Sequence, residues 1–305
     1  MNTFFWWIFD ALVIIICATV IYSNAKRGVT KVLLLGVGYF IAALSASLVS
    51  MAMAPVLYNS VSQETTVSAI EHANRHFDLT ASITGAVNAA DLGITCDKGT
   101  IRSILEKEKN ETDQVPADIY RYIRSKYDGK ELITMEQVRT LLKDAVIRDY
   151  GKQLDDYLPA YVRTNFERKM EQDQRMTGEL VQMLSKQPTA AETLTYVEEN
   201  FAKEPTLEVL QIFSYLILFS IVMVLAAVIA AMMENSIFFN NTRFRERVLG
   251  GLVGIIETTV MLMLLTLVVR LLVMLGGGKL LCFNEPTIEE SIIFRHFYHH
   301  LEIIL

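Results

Sequence analysis

The stretch LEVLQIFSYLILFSIVMVLAAVIAAMMENSIFFNNTRFRERVLGGLVGIIETTVMLMLLTLVVRLLVML, residues 207–275, decides the fold of this chain. It contains two apolar runs, 210–233 and 250–275, joined by a short basic loop. A helix needs about 20 apolar residues to cross a hydrocarbon core of about 30 Å. Because a backbone in lipid must satisfy its own hydrogen bonds, each run predicts a transmembrane helix, and the pair predicts a hairpin.

A first hairpin is predicted at residues 1–55, where two more apolar runs span 4–23 and 32–54. The first run lacks the preceding basic residues of a signal peptide, so it predicts a retained span. In the second run small residues recur every fourth position and form one ridge on a helix, which permits close packing in lipid. The ridge comprises Gly38, Ala42, Ala46, Ser50 and Ala54. We expect Pro55 to end this helix.

The loops between paired spans are both short and basic. Their cations are Lys26, Arg27, Lys31, Arg243, Arg245 and Arg247. The positive-inside rule places both loops in the cytoplasm. The N-terminus, residues 56–206 and the C-terminus are then expected to be extracytoplasmic, in a multi-pass membrane protein.

Residues 56–206 are polar, with helical periodicity and no alternating β-branched runs. They predict an all-α extracytoplasmic domain inserted between the two hairpins. Thr134 and Gln137 have the spacing of a capping box at a helix start. A helix is expected over 160–184, and a later one is expected to stop before Pro205. The predicted fold is therefore all-α: a four-helix transmembrane bundle with an inserted helical domain.

The tail, residues 276–305, opens with three glycines and then predicts one amphipathic helix over 288–305. Its apolar side comprises Ile292, Ile293, Phe297, Leu301 and Ile304. We expect this helix to lie on the outer membrane surface or to pack on the helical domain.

Composition excludes several classes of function. A hydrophobic share of 52% fits a mixture of membrane helices and a polar domain, and a net charge of −6 argues against nucleic acid as a partner. No phosphate-binding loop, GxSxG or HExxH motif is present, so the sequence predicts neither an enzyme nor a cofactor. The chain thus points to membrane and protein partners.

The histidines and cysteines give only weak indications of a metal site or a disulfide. His72 and His76 are four residues apart and could share a metal, but no third ligand is evident, which favours a solvated helix face. The group His296, His299 and His300 has the same weakness, although it could respond to pH. Cys96 and Cys282 are both expected outside, where a disulfide is chemically allowed.

Three ionisable residues lie within the predicted spans: Asp10, Glu257 and Arg270. Such groups are costly in lipid and usually pair or line a polar path. Asp10 and Arg270 both fall near the outer ends of their helices, so they either pair or reach separately to the interface. Glu257 is deeper, and it marks either an ion or proton site or a structural contact with a partner such as Arg247.

The order of these motifs resembles the colicin V production protein (CvpA) family. That family is similar in having an Asp in the first span, as at Asp10, and an Arg-Gly after it, as at 27–28. It also has an R-x-L-G-x-x-x-G entry to the fourth span and a serine-containing segment after it. Besides Asp10, the positions that match the family's motifs are Arg27, Gly28, Arg247, Gly250, Gly254 and Ser291. The chain departs from the family at 257–258, where the family commonly has a basic residue and Gly.

The resemblance implies a bacterial cytoplasmic-membrane protein linked to toxin (bacteriocin) production and envelope homeostasis, and it implies no enzyme. We expect a membrane scaffold or accessory factor that self-associates or binds envelope proteins through residues 56–206. The alternative is an oligomeric transporter or ion-conducting channel that uses Asp10, Glu257 and Arg270. An extracytoplasmic hydrolase is disfavoured because no nucleophile–base pair is evident.

Overall fold

The structure, a computed structural model, describes residues 5–27, 29–90, 95–107, 114–126, 133–236, 244–277, 280 and 282–300. Side chains are described at these positions except 27, 29–31, 34, 231, 233–236 and 244–247. Within the described ranges the chain is helical and has no strand, which confirms the all-α prediction.

The helices of the membrane hairpins and the tail are α1 (Trp6–Arg27), α2 (Val29–Leu57), α11 (Lys203–Ser236), α12 (Phe244–Gly276), α13 (Glu285–Glu289) and α14 (Phe294–His300). Between α2 and α11 come α3 (Gln63–His76), α4 (Leu79–Ala89), α5 (Lys98–Glu106), α6 (Gln114–Lys126), α7 (Met135–Tyr157), α8 (Ala160–Gln172), α9 (Gln174–Lys186) and α10 (Ala191–Val197). Single π-helical turns follow α2 at Tyr58–Ser62 and α10 at Glu198–Ala202.

Within the described residues, four helical segments are long and apolar enough to cross a membrane: Trp6–Lys26, Leu35–His76, Ala191–Ala230 and Val248–Gly276. Each of them overlaps most of one predicted span. Many of their large apolar side chains are exposed within the chain, as expected for surfaces that face lipid rather than water.

The chain divides into two compact units, residues 1–58 with 207–305 and residues 59–206. In the first unit α12 packs against α1 and α2. Phe9 near the start of α1 shares a buried cluster with Val273 near the end of α12. Asn24 near the end of α1 meets Gly254 near the start of α12, so the two helices run antiparallel.

The ridge of small residues on α2 lies in the interior of this unit. Ala42, Ala46 and Ser50 are almost completely buried. A Cβ atom added at Gly38 would lie 2.9 Å from the Cβ of Ala226 in α11, a distance that real Cβ atoms do not tolerate. Gly38 therefore lets two helices approach to backbone distance, where dispersion contacts replace the hydrophobic drive missing in lipid.

The second unit has its own core, in which α7 is packed by α3, α4, α6, α8 and α9. The capping box predicted at Thr134 and Gln137 is confirmed at the start of α7. The rings of Tyr150, Phe166 and Phe201 meet edge to face at its centre, with successive centroids 5.5 and 5.0 Å apart. Burial raises the pKa of Tyr150, whose hydroxyl donates to Asn74 Oδ1.

Three predicted helix boundaries are wrong. Pro55 lies inside α2, which ends at Leu57, and the predicted helix over 160–184 is two helices divided at Asp173. Asp173 accepts the N–H of Arg175 and so starts α9 afresh.

Pro205 also fails to stop a helix, since it lies within the first turn of α11. A proline there has no N–H for the carbonyl of Phe201, four residues earlier. Asn165 Nδ2 donates to that carbonyl at 2.8 Å instead. The side chain of another helix thus satisfies the backbone group that the proline leaves free.

The tail is not the single helix predicted over 288–305. In the described residues it forms two short helices, α13 and α14, which pack on α1 and α12. Ile292 and Ile293 are 60% and 37% exposed, so they do not pack with the half-buried Phe297. Leu301 and Ile304 lie outside the described residues.

Candidate functional site

Asp10 holds the backbone of the tail. The residue is 8% exposed, and its Oδ2 accepts the N–H of Ile292 at 2.8 Å. Its Oδ1 accepts the N–H groups of Ile293 and Phe294 at 2.9 and 3.0 Å. Three amides from a segment more than 280 residues away in sequence therefore converge on one carboxylate, and hydrogen bonds to a charged acceptor are the stronger kind.

Aromatic rings surround this contact. Phe9, next to Asp10 in α1, is 1% exposed and stacks on Phe294 with ring centroids 5.0 Å apart. Phe283 meets Phe9 edge to face at 6.0 Å. These rings shield the carboxylate and the buried N–H of Phe294 from water, which strengthens that hydrogen bond.

Ser291 holds the same turn from the tail side. Its hydroxyl donates to the carbonyl of Ile288 at 2.6 Å and accepts the N–H of Arg295 at 3.0 Å. The sequence singled out Asp10 and Ser291 separately, and the structure brings them to one turn at the start of α14. The predicted helix over 288–305 breaks here because these backbone groups bond to two side chains rather than to each other.

Arg270 has a different partner from the one considered in the sequence. Its guanidinium pairs with Glu208 of α11 at 2.5 Å, so the Asp10–Arg270 pair does not form. Tyr298 of α14 lies within electrostatic range of both Arg270 and Glu208. Burial, reinforced by the charge of Glu285, raises the pKa of Tyr298 to about 12, while Arg270 opposes the rise.

Glu257 lies at the other end of the bundle, bonded to a residue that sequence reasoning missed. Asn24 Nδ2 in α1 donates to Glu257 Oε2 at 2.5 Å, and both side chains are buried. The Asn24 Oδ1 is buried and has no hydrogen-bond partner among the residues whose side chains are described. Arg247, the partner considered earlier, has its side chain outside the described part, as has Arg27, while Gly28 lies wholly outside it.

Gly254 makes the Asn24 contact possible. A Cβ atom there would lie 3.0 Å from the Cβ and 3.1 Å from the Nδ2 of Asn24. Gly250 is buried in the first turns of α12, and Gly251 faces Ala25 with ordinary spacing. The sequence signal at this contact is a glycine one turn before an acid within a predicted span, and the asparagine opposite it is known from the structure.

The two polar contacts are about 21 Å apart along α1, at 1.5 Å per residue between Asp10 and Asn24. Each joins α1 to the chain that follows residue 244. Together they clamp the first helix of one hairpin to the last helix and tail of the other.

The remaining candidates stand apart from this arrangement. His72 and His76 are exposed and stack on Tyr157, with centroids 6.0 and 5.6 Å away. His299 pairs with Glu289 at 2.7 Å. Among the described residues no three His, Cys, Asp or Glu side chains are grouped as metal ligands. Cys96 and Cys282 are both free thiols.

Residues 187–302 match the family model described as Colicin V production protein. The matched region includes α11, α12 and the tail, with Gly254 and Ser291, but not Asp10. It confirms the resemblance over this part of the chain. Searches of curated proteins and of solved structures gave no match.

Proposed function

We propose that this multi-pass membrane protein, which has a colicin V production domain at residues 187–302, is a membrane scaffold or accessory factor in toxin (bacteriocin) production and envelope homeostasis. It binds envelope partners, or further copies of itself, through the unit at 59–206. The observation behind the proposal is that Asp10, Glu257 and Arg270, the ionisable residues within the predicted spans, all bind to groups of the bundle and its tail. They hold the helices together.

The second unit supports this role by its construction. It is a compact domain with a core of about thirty buried apolar side chains around α7. Its surface is rich in charged and polar groups, which suits a domain that meets aqueous partners. A membrane bundle that presents such a domain has the parts of a scaffold.

A transporter or channel, the alternative, fits the contacts less well. Asp10 is occupied by three backbone amides and Arg270 by Glu208, so neither is available to a permeating ion. Glu257 is bound to Asn24 within the bundle. Flux through liposomes that falls in Asp10→Asn and Glu257→Gln, with the fold preserved, is the result that would favour transport.

The orientation we propose places both termini and the second unit outside the cytoplasmic membrane, because the two basic loops are expected inside. Alkaline phosphatase fused after residue 305 is expected to be active, and a fluorescent protein at the same place to be dark. The opposite pattern would reverse the topology.

Photo-crosslinking in intact cells tests the scaffold role. A photoreactive amino acid at exposed positions Lys152 and Glu171 is expected to give discrete protein adducts, while the same probe at lipid-facing Ile221 is not. Two epitope tags on co-expressed copies separate self-association from other partners. Toxin export that persists after residues 59–206 are replaced by a short linker, with no adducts at either position, would reject the proposal.

A further inference from the structure

A small cavity opens between α6, α7 and α9 of the second unit, with a volume of about 210 Å³. Its apolar wall comprises Pro116, Leu142 and Val181, and its polar wall includes Arg139, Arg175 and Thr177. The cavity is smaller than the 300–1,000 Å³ of drug-sized sites, and at about 30 Å³ per water it has room for about seven waters.

Thr177 is the first polar feature of the cavity. The residue is 7% exposed, and its buried Oγ1 has no hydrogen-bond partner in the described part of the second unit. Buried hydroxyl groups are almost always hydrogen-bonded, so an unmet one on a cavity wall indicates a place for a ligand atom.

Arg175 is the second feature. It lies in the first turn of α9, where the free N–H groups and the helix dipole favour negative charge. Its guanidinium is exposed, and within the described part of the chain it forms no ion pair. Two other polar residues of the wall already bind a carboxylate outside the cavity, because Gln174 donates to Glu136 at 2.7 Å and Arg139 donates to it at 3.4 Å.

We infer that this cavity binds a carboxylate with an apolar body about the size of one amino-acid side chain. The carboxylate meets Arg175 and the hydroxyl of Thr177, and the apolar body lies against Leu142 and Val181. The same chemistry is found in a small branched-chain acid and in the C-terminal residue of a polypeptide. This inference rests on the cavity alone and goes beyond the scaffold role.

Calorimetric titration of the purified full-length protein in detergent tests it. The probes are 3-methylbutanoate with its uncharged amide, and acetyl-Ala-Val with a free C-terminus alongside its C-terminal amide. We expect saturable binding of the acids and at least about tenfold weaker binding of the amides, because only the charged form makes a bidentate contact with arginine. Tighter binding of the free-ended peptide identifies a polypeptide terminus as the ligand, whereas tighter binding of the free acid identifies a small metabolite.

Variants locate the site. Arg175→Ala is expected to weaken binding by about tenfold or more, and Thr177→Val, which keeps the shape, by about threefold to tenfold. Arg102→Ala removes an exposed arginine that does not line this cavity, and it should bind like the unaltered protein. Since Arg175 is exposed, its loss leaves the fold intact, which circular dichroism checks.

Two results would overturn the inference. One is the absence of saturable binding for every acid. The other is binding that persists equally in Arg175→Ala and Thr177→Val, which would place the ligand elsewhere. Because the measurement uses pure protein and no cellular partner, failure here leaves the scaffold proposal to its own test.

Discussion

Replacing Asp10 by alanine is expected to release the tail from the bundle. The carboxylate accepts three backbone N–H groups, those of Ile292, Ile293 and Phe294. Alanine accepts none, so three donors lose their partner while Phe9 still covers the site. The tail is expected to open locally while the rest of the bundle stays folded.

The size of the effect follows from the number of bonds. A hydrogen bond to a charged acceptor contributes about 1.5–3 kcal/mol, and a typical one about 1 kcal/mol. Because two of the three amides are only partly buried, the lower value of about 1 kcal/mol for each bond applies, which gives about 3 kcal/mol in total. At 1.4 kcal/mol per factor of ten, the open state becomes roughly a hundred times more populated. Asp10→Asn keeps one acceptor oxygen, so its open state is expected to become only roughly ten times more populated than in the unaltered protein.

Hydrogen–deuterium exchange measured by mass spectrometry reads this opening directly, because amide exchange from a locally open state scales with its population. Peptides covering 288–300 are expected to exchange roughly a hundred times faster in Asp10→Ala. Ser291→Ala loses two hydrogen bonds in the same turn. The double variant should therefore destabilise the tail by less than the sum of the two single changes in free energy.

The control is Asp97→Ala, which removes the cap of α5 in the other unit. It should speed exchange at the start of α5 and leave the tail unchanged. If the tail exchanges at the same rate in Asp10→Ala as in the unaltered protein, the carboxylate does not hold the tail and the reasoning is refuted.

Three further predictions concern packing, a buried carbonyl and pH. Gly254→Ala is expected to cost about 1–3 kcal/mol and lower the melting temperature, because its Cβ would lie 3.0 Å from that of Asn24. Gly251→Ala, with 3.9 Å available, should be tolerated, and equal melting of the two would contradict the packing argument. Asn165→Ala leaves the carbonyl of residue 201 without a donor and should lower the urea midpoint by an amount equivalent to about 1–3 kcal/mol; an unchanged midpoint would show that water replaces the amide. The guanidinium of Arg148 holds the pKa of Asp149 below its ordinary value. Asp149 therefore stabilises the fold fully above about pH 4 and loses that effect as pH falls further. The urea midpoint of Asp149→Asn should therefore lie below that of the unaltered protein at about pH 7, and the difference should shrink as the pH falls below about 4. A difference that stays constant would exclude the ion pair.

Much of the fold could be predicted because its signals are local. The four spans follow from uninterrupted apolar length, and the capping box at Thr134 follows from a spacing of three residues. The sequence also singled out Asp10, Glu257 and Arg270 as costly in lipid. The free energy of placing such a residue in lipid depends mainly on its own side chain, so it can be judged without knowing its neighbours in the fold.

The partners of these residues could not be predicted in the same way. Asp10 bonds to residues 292–294 and Glu257 to Asn24, across sequence separations of more than 230 residues. Asp10 and Arg270 were both expected near the outer ends of their helices, which left pairing open, and only the packing of α11 brings Glu208 to Arg270.

By itself, the sequence determined that this chain is helical, that four segments are apolar enough to cross a membrane, and which polar residues those segments contain. The tertiary structure alone decided which groups meet. It also decided where helices end, since Pro205 is accommodated by Asn165 from another helix, and the tail breaks where Asp10 takes its amides. The physical reason is that helix formation and burial in lipid depend on residues within a few turns. A buried hydrogen bond instead depends on how helices that are far apart in the sequence pack together. That packing cannot be deduced from the spacing of residues along the chain.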